Sequence, residues 1–373
     1  MSERVLVTGG AGFIGSHVVD RLLAAGYAVR VLDSLHPQVH PGGDWPDYLD
    51  AAAERVRGDV RDARVVDQAL DGIDVVLHQA ARVGVGQSQY EIEDYLDVNV
   101  RGTGTLLEGV LGRRSRVRKL VVASSMSTYG EGRYRCPPCA RTLDGLTRDE
   151  ARLQRGEWDP VCPGCGGPLA AVPTDESTPL CCASVYALSK RMQEELVLLF
   201  GRTYGIPAVA LRYFNTYGPR QALANPYTGV AAIFLARLKH GQPPVAYEDG
   251  RQLRDFVSVH DVAAANLAAV TRPDADGLAV NVGSGQQVTV LEIAAIAARH
   301  LGCDLAAEVT GRHRKGDVRH CFADVRRLAA ALGHTPRVSV EAGFAELAAW
   351  AATAAAADHF AAAQRALRER GLL

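Results

Sequence analysis

Tyr186 and Lys190 stand four residues apart in the run Ser184-Val185-Tyr186-Ala187-Leu188-Ser189-Lys190. On a helix, that spacing sets a phenol and an ammonium one turn apart on the same face. A tyrosine hydroxyl, with a free pKa of about 10, is a poor base at neutral pH. A neighbouring positive charge favours the phenolate and lowers that value. The run Val121-Val122-Ala123-Ser124-Ser125 ends on a hydroxyl able to relay a proton between a substrate alcohol and Tyr186. Ser125, Tyr186 and Lys190 are therefore a candidate catalytic unit; taken alone, the Tyr186 and Lys190 pair could also be a helix surface contact.

A base needs something to act with, and the start of the chain supplies it. Val5-Leu6-Val7 is a short apolar strand, and 13–25 carries helical spacing, so Gly9, Gly12 and Gly15 occupy a strand-to-helix turn. Gly9 permits the tight turn, Gly12 lets the backbone approach phosphate, and Gly15 allows close helix packing. The helix N-terminus offers free N–H groups to a dinucleotide pyrophosphate. The next strand, 28–32, leads into Asp33, which can accept from both ribose hydroxyls and would repel a 2′-phosphate, so NAD is expected over NADP. A helix-capping aspartate is the alternative reading of Asp33. Asp59, in Gly58-Asp59-Val60, is placed to bond the adenine amine, or else is a solvated loop residue. The segment 75–81 reads as a fourth strand whose small Ala80 and Ala81 let backbone lie against the cofactor, with His78 packed inside. A proton acceptor beside a nicotinamide implies hydride transfer at an alcohol carbon.

These pieces need a scaffold. At 373 residues and 47% hydrophobic content, the chain can bury a core for one large domain or two unequal ones. A formal charge of -1 argues against a nucleic-acid backbone or an anionic membrane as partner. No apolar run is long enough to span a bilayer, and the first strand starts by Val5, leaving no room for a cleaved leader; a cytoplasmic location is expected. Strand-helix alternation through residue 123 predicts an α/β fold built on a doubly wound parallel Rossmann sheet.

The motifs together resemble the extended short-chain dehydrogenase/reductase family, in its NAD-dependent nucleotide-sugar epimerase and dehydratase branch, over nearly the whole chain. Asp97-Val98-Asn99, Arg212-Tyr213-Phe214-Asn215-Thr216-Tyr217-Gly218-Pro219-Arg220, Arg254-Asp255-Phe256-Val257-Ser258-Val259-His260-Asp261-Val262, Asn281-Val282-Gly283-Ser284-Gly285 and Arg314-Lys315-Gly316-Asp317 carry it further. The resemblance implies NAD contacts at Phe13, Ile14, Val60, Ala80, Ala81 and Asn99, beside the glycines, Asp33, Asp59, Tyr186 and Lys190. It implies nucleotide-sugar contacts at Ser125, Ser127, Asn215, Gly229, Val230, Tyr247, Arg254, Arg314, Asp317 and Cys321. Two guanidinium forks and an amide, from Arg254, Arg314 and Asn215, suit a diphosphate; pairing with a surface carboxylate is the alternative for each arginine. Lys315 departs from the proline usual in the family. Cys321 stands where some members carry tyrosine; it reads as a pocket-wall residue leaving space for a bulky substituent such as N-acetyl, or as a plain core cysteine.

In the 4,6-dehydratases the serine is followed by a threonine and then an acid and base pair, whereas this chain has Met126 and Ser127 at those two places. Neither shuttles a proton as a carboxyl does. What the resemblance then implies is a 4-epimerase working through a transient 4-keto sugar, on a UDP-sugar by preference. A 4-ketoreductase or an atypical dehydratase is the second reading, and an NAD-sensing regulatory module the third. Relatives pair through helices corresponding to 91–111 and 186–204, which implies a homodimer.

One segment stands outside the family pattern. Cys136-Pro137-Pro138-Cys139 and Cys162-Pro163-Gly164-Cys165 read as two knuckles of a zinc ribbon, with four thiolates completing a closed, structural site. Two disulfides or free loop thiols are the alternatives. The insert, 133–173, holds six arginines against five acids and so is no basic patch for nucleic acid. Lying between two catalytic segments, it is expected to overhang the sugar pocket as a lid. The expected organisation is 1–212 with 256–282 for NAD, 133–173 for the ribbon, 213–255 with 283–350 for a smaller interleaved α/β sugar domain, and 351–373 as a helical tail. A mobile loop is expected at 221–229.

Overall fold

Alternate residues of the first strand face opposite ways, and that alternation builds the layers. In the computed structural model, which describes residues 2–227, 229–354 and 356–373, Val5 and Val7 enter one core and Leu6 another, all three fully buried. Thr228, in the segment expected to be a mobile loop, and Ala355, in the expected tail, lie outside the described residues, as does Met1.

The central sheet has seven strands: β1 Arg4–Thr8, β2 Ala28–Asp33, β3 Glu54–Arg57, β4 Val75–His78, β5 Lys119–Ser125, β6 Ala208–Tyr213 and β7 Ala279–Val282. They lie in the order β7-β6-β5-β4-β1-β2-β3, and every neighbouring pair is parallel. Parallel pairing needs crossovers, so helices cover both faces. The nucleotide helix Phe13–Ala24 and the helix Val259–Thr271 pack on the Val5 face. Ala63–Leu70, Gly102–Leu111 and the tyrosine helix Val185–Tyr204 pack on the Leu6 face. Strand order reverses between β1 and β4, which opens a crevice at their carboxyl ends. The fourth strand ends at His78, short of the expected Ala81, because the chain must turn there to pass the glycine loop.

A separate apolar cluster joins Phe234, Ile293, Phe344 and Leu347, on helices Val230–Lys239, Val290–His300 and Val340–Thr353, to Tyr217 and Phe256 on the short strands Asn215–Tyr217 and Phe256–Ser258. The insert forms its own antiparallel sheet, with Arg133–Cys136 between Arg141–Leu143 and Ala170–Val172. Among the described residues no helix is long and apolar enough to cross a membrane.

His78 is held at the centre of the sheet, its ring 2.7 Å from Thr8 Oγ1 and 2.9 Å from Thr103 Oγ1. Burial, and secondarily Lys190, push its pKa down from 6.5 to about 3. The folded chain keeps this ring neutral while the unfolded chain protonates it, so the stability is complete above 6.5 and is lost as pH falls toward 3. His78→Gln should remove on the order of 1 kcal/mol per pH unit of acid sensitivity in that window. Denaturant midpoints at stepped pH check it, and parallel curves for the two proteins contradict it.

Candidate active site

The crevice is a cleft of about 620 Å³ running from the glycine turn to the smaller cluster. At its first end the turn is built without room for side chains. Gly9 has φ of +70°, and a Cβ there would meet Ala80 N at 2.8 Å; a Cβ on Gly15 would sit 2.1 Å from Gly9 O. This is a cradle that fits a pyrophosphate on the N-terminus of the nucleotide helix. Asp33 props the loop, accepting from Ala11 N at 3.0 Å and Leu35 N at 2.9 Å. Burial raises its pKa and those two backbone donors oppose the rise. Both oxygens of Asp59 are taken by Arg61, at 2.9 and 2.7 Å. Phe13, Ile14, Gly12, Val60, Ala80 and Ala81 complete this end.

The middle of the cleft holds Ser125, Tyr186 and Lys190, as well as Ser127. Ser125 ends β5 and accepts from Ser127 N at 3.2 Å and Ser127 Oγ at 2.9 Å. Ser184 caps the tyrosine helix through Ala187 N at 3.1 Å, which fixes the first turn bearing Tyr186. The phenol is hydrogen-bonded with Ser125. Lys190 donates to Gln193 Oε1 at 2.8 Å. Burial raises the Tyr186 pKa above 10, with the Ser125 bond opposing, and burial lowers Lys190 to about 7 against the pull of Glu194. The expected lowering of the phenol by the lysine is not what the protein alone produces: desolvation outweighs attraction at both groups.

Beneath them lies a network that the sequence reading passed over. Glu194, one turn past Lys190, accepts from Ser124 Oγ at 2.6 Å and pairs with Arg212 at 2.5 Å. Arg212 also donates to Tyr129 OH at 2.8 Å, which donates to Asn281 Oδ1 at 2.7 Å. The network ties β5, β6, β7 and the tyrosine helix together directly under the Ser125 wall.

At the far end Arg254 and Arg314 converge on Asp317, at 3.5 and 2.8 Å, and the Arg314 guanidinium lies 4.6 Å from the Tyr247 ring centre. Burial alone would raise Asp317, but Arg314 and Arg254 hold it down at about 2. Two cations against one carboxylate leave this end net positive. Asn215 Oδ1 is buried with no hydrogen-bond partner among the described residues, and Gly229 and Val230 also line the cleft.

Two expected contacts stand elsewhere. Asn99 is not on the cleft wall: in a π turn, Asp97–Arg101, it accepts from Arg82 N at 2.7 Å and donates to Ser189 Oγ at 2.9 Å, stapling the loop after β4 to the tyrosine helix. Cys321 is also behind the wall, fully buried, its thiol 3.8 Å from Thr174 Oγ1. In contrast, the C-terminal helix Phe360–Glu369 lines the cleft with Phe360, Ala363, Gln364 and Leu367. Their i, i+3, i+4, i+7 spacing was a legible signal of a buried face.

The thiols of Cys136, Cys139, Cys162 and Cys165 all lie within 4.8 Å of one another. Cys136 and Cys165 Sγ are 3.5 Å apart, close to the roughly 3.8 Å edge of a tetrahedron with 2.3 Å zinc-sulfur bonds. No insert residue lines the cleft, so the expected lid is corrected: the insert docks behind the far end.

The sequence profile of the NAD dependent epimerase/dehydratase family matches residues 5–147 and 164–283, its gap falling inside the cysteine insert. The chain is 38% identical to the dTDP-L-rhamnose 4-epimerase of Burkholderia thailandensis, over 94% of this chain and 95% of that protein. Among solved structures, the NAD complex of Thermus thermophilus UDP-glucose 4-epimerase superposes with a TM-score of 0.75 at 32% identity, over 94% of this chain and all of that one. The Thermotoga maritima UDP-glucose 4-epimerase with UDP-glucose gives 0.77 at 30% identity, over 93% and 98%. With the glycine cradle, the parallel sheet and the Ser125, Tyr186 and Lys190 constellation in one cleft, this chain belongs to the NAD dependent epimerase/dehydratase family.

Proposed function

We propose that the protein is an NAD-dependent nucleotide-sugar 4-epimerase. The observation that carries this reading is that the Tyr186 and Ser125 side chains share one cleft with the glycine cradle and the Arg254 and Arg314 pair, with no unengaged carboxyl on its wall among the described residues. Among the described residues the carboxyl groups on the cleft wall are Asp33, Asp59, Asp94 and Asp317, each already held by backbone N–H groups or an arginine. Dehydration needs an acid and a base at the sugar; a proton relay alone suffices for epimerisation.

The turn of Gly9, Gly12 and Gly15 would hold NAD, which when bound would supply the acceptor and later the donor of hydride at C4. Tyr186 takes the proton of the C4 hydroxyl, Ser125 bonding to the same oxygen and orienting it. Lys190 as ammonium opposes the desolvation that holds Tyr186 neutral. Arg254, Arg314 and Asn215 hold the diphosphate, so the keto sugar can turn about its link and present the opposite face of C4 to the returning hydride, while Tyr186 gives its proton back to the C4 oxygen. The relatives named for UDP-glucose and dTDP-L-rhamnose direct the substrate search to pyrimidine nucleotide sugars, UDP-sugars first.

The four cysteines hold a structural zinc, since four thiolates leave no coordination position for water. A reducing cytoplasm suits them. The protein works as a homodimer: Leu188, Met192, Leu199 and Tyr204 are 36–53% exposed along the tyrosine helix, and Ile92 on a neighbouring one is 47% exposed, an apolar face for a second copy.

Proton and carbon NMR should show UDP-hexoses or dTDP-rhamnose converting to their C4 epimers with no added NADH; strict consumption of NADH would make the protein a ketoreductase instead. Tyr186→Phe should lower kcat by about 10²–10⁴-fold. Metal analysis should find one zinc per chain, lost in Cys139→Ser; a metal-free wild type with four thiols open to alkylation removes the ribbon assignment. Light scattering should give twice the chain mass of 39.8 kDa, and Leu199→Glu should give the single mass; a wild-type monomer contradicts the pairing.

A further inference from the structure

The insert touches the far end of the cleft through buried charges. Arg148, with its side chain 6% exposed, pairs with Glu131 at 2.9 Å and with Glu248 at 2.5 Å, and donates to Asp317 O at 2.8 Å. Asp317 is the carboxylate on which Arg254 and Arg314 converge, and Glu248 directly follows Tyr247, whose ring faces Arg314. Glu248 itself holds a left-handed φ of +53°, strained for a residue with a side chain, and accepts from both Arg148 and Arg319. From the other side of the insert, Asp159 binds Arg319 at 2.7 Å, which also holds Asp249 at 2.6 Å. The insert thus grips both the 247–249 turn and the 317–320 segment from behind.

We propose that Arg148 is a positioning residue for the diphosphate end of the cleft, acting through Asp317 and the Tyr247 turn, so that the cysteine insert is a buttress for nucleotide-sugar binding. This rests on the reading of Arg254 and Arg314 as the diphosphate clamp. The geometry is specific to a guanidinium: three of its nitrogens reach three acceptors on separate segments, which an ammonium cannot span. Loosening this anchor frees the 247–249 turn and the Asp317 backbone. Both cations then lose their fixed aim, while the Ser125 and Tyr186 end is untouched. Such a change removes ground-state and transition-state binding equally, and so raises KM without lowering kcat.

The test compares wild-type, Arg148→Ala, Arg148→Lys and Arg314→Ala full-length chains, all zinc-loaded. Titration calorimetry with UDP and with dTDP, the proportion of bound NAD, and kcat and KM are measured on each. Arg148→Ala should bind the better nucleotide at least ten-fold more weakly and Arg148→Lys at least three-fold, with KM rising in step, kcat within two-fold and NAD content unchanged. Smaller losses, or a loss confined to kcat, overturn the proposal. Should Arg148→Ala fail to fold, the Arg148→Lys threshold decides alone. Arg314→Ala separates the two levels: if it binds UDP and dTDP like the wild type, the clamp reading fails and this inference with it; if it loses binding while the Arg148 variants keep it, only the buttress is wrong.

Discussion

Removing water from around Tyr186 and Lys190 is the constraint from which the surrounding architecture follows. Burial pushes the phenol up and the ammonium down, moving both groups toward neutrality. The chain answers with Glu194, whose charge favours protonated Lys190 and which is itself a buried anion in need of a partner. Arg212 on β6 supplies that partner, and a buried pair of this kind costs about 3–5 kcal/mol when one member is removed. Strand order in the sheet therefore matters chemically: β5 carries Ser125 and Ser124, β6 carries Arg212, and the tyrosine helix packs across both.

A second set of buried charges does comparable service at the opposite end. Arg148 and Arg319 answer Glu131, Glu248, Asp249 and Asp159 where the insert meets the body. The insert's own knuckles are short and its sheet small, so docking by paired ions substitutes for an apolar core that a segment of this size cannot build.

Much of this was legible in the residues because the chemistry demands backbone geometry that few sequences satisfy. Gly9, Gly12 and Gly15 announce a turn with no space for Cβ atoms, and Tyr186 and Lys190 announce a helix face. The cysteine pairs announce a cluster, which the thiol positions bear out as a cluster. Illegible were the features decided by three-dimensional direction. Asn99 has the residue type of a ligand contact, yet a π turn rotates it to the backbone of Arg82. Cys321 lies on a short strand paired with Leu253–Arg254 and points into the core while its register partner Arg254 lines the cleft. The insert's place in the chain order, between Ser125 and Tyr186, suggested a lid; its ion pairs took it to the back. The sign of the shift at Tyr186 also could not be read from spacing, since spacing contains no measure of desolvation.

The C-terminal helix has a consequence of a different kind. It closes one side of the cleft with Phe360, Ala363, Gln364 and Leu367, holds Tyr247 OH through Gln364 at 3.0 Å, and is pinned where Lys315 N meets Leu372 O at 3.1 Å. None of the proton-handling groups is on it. One wall of the cleft and the Ser125, Tyr186 and Lys190 group are consequently encoded in separate stretches of the polypeptide, so drift or deliberate exchange within the ten residues of this helix can redraw that wall while β5 and the tyrosine helix are inherited intact.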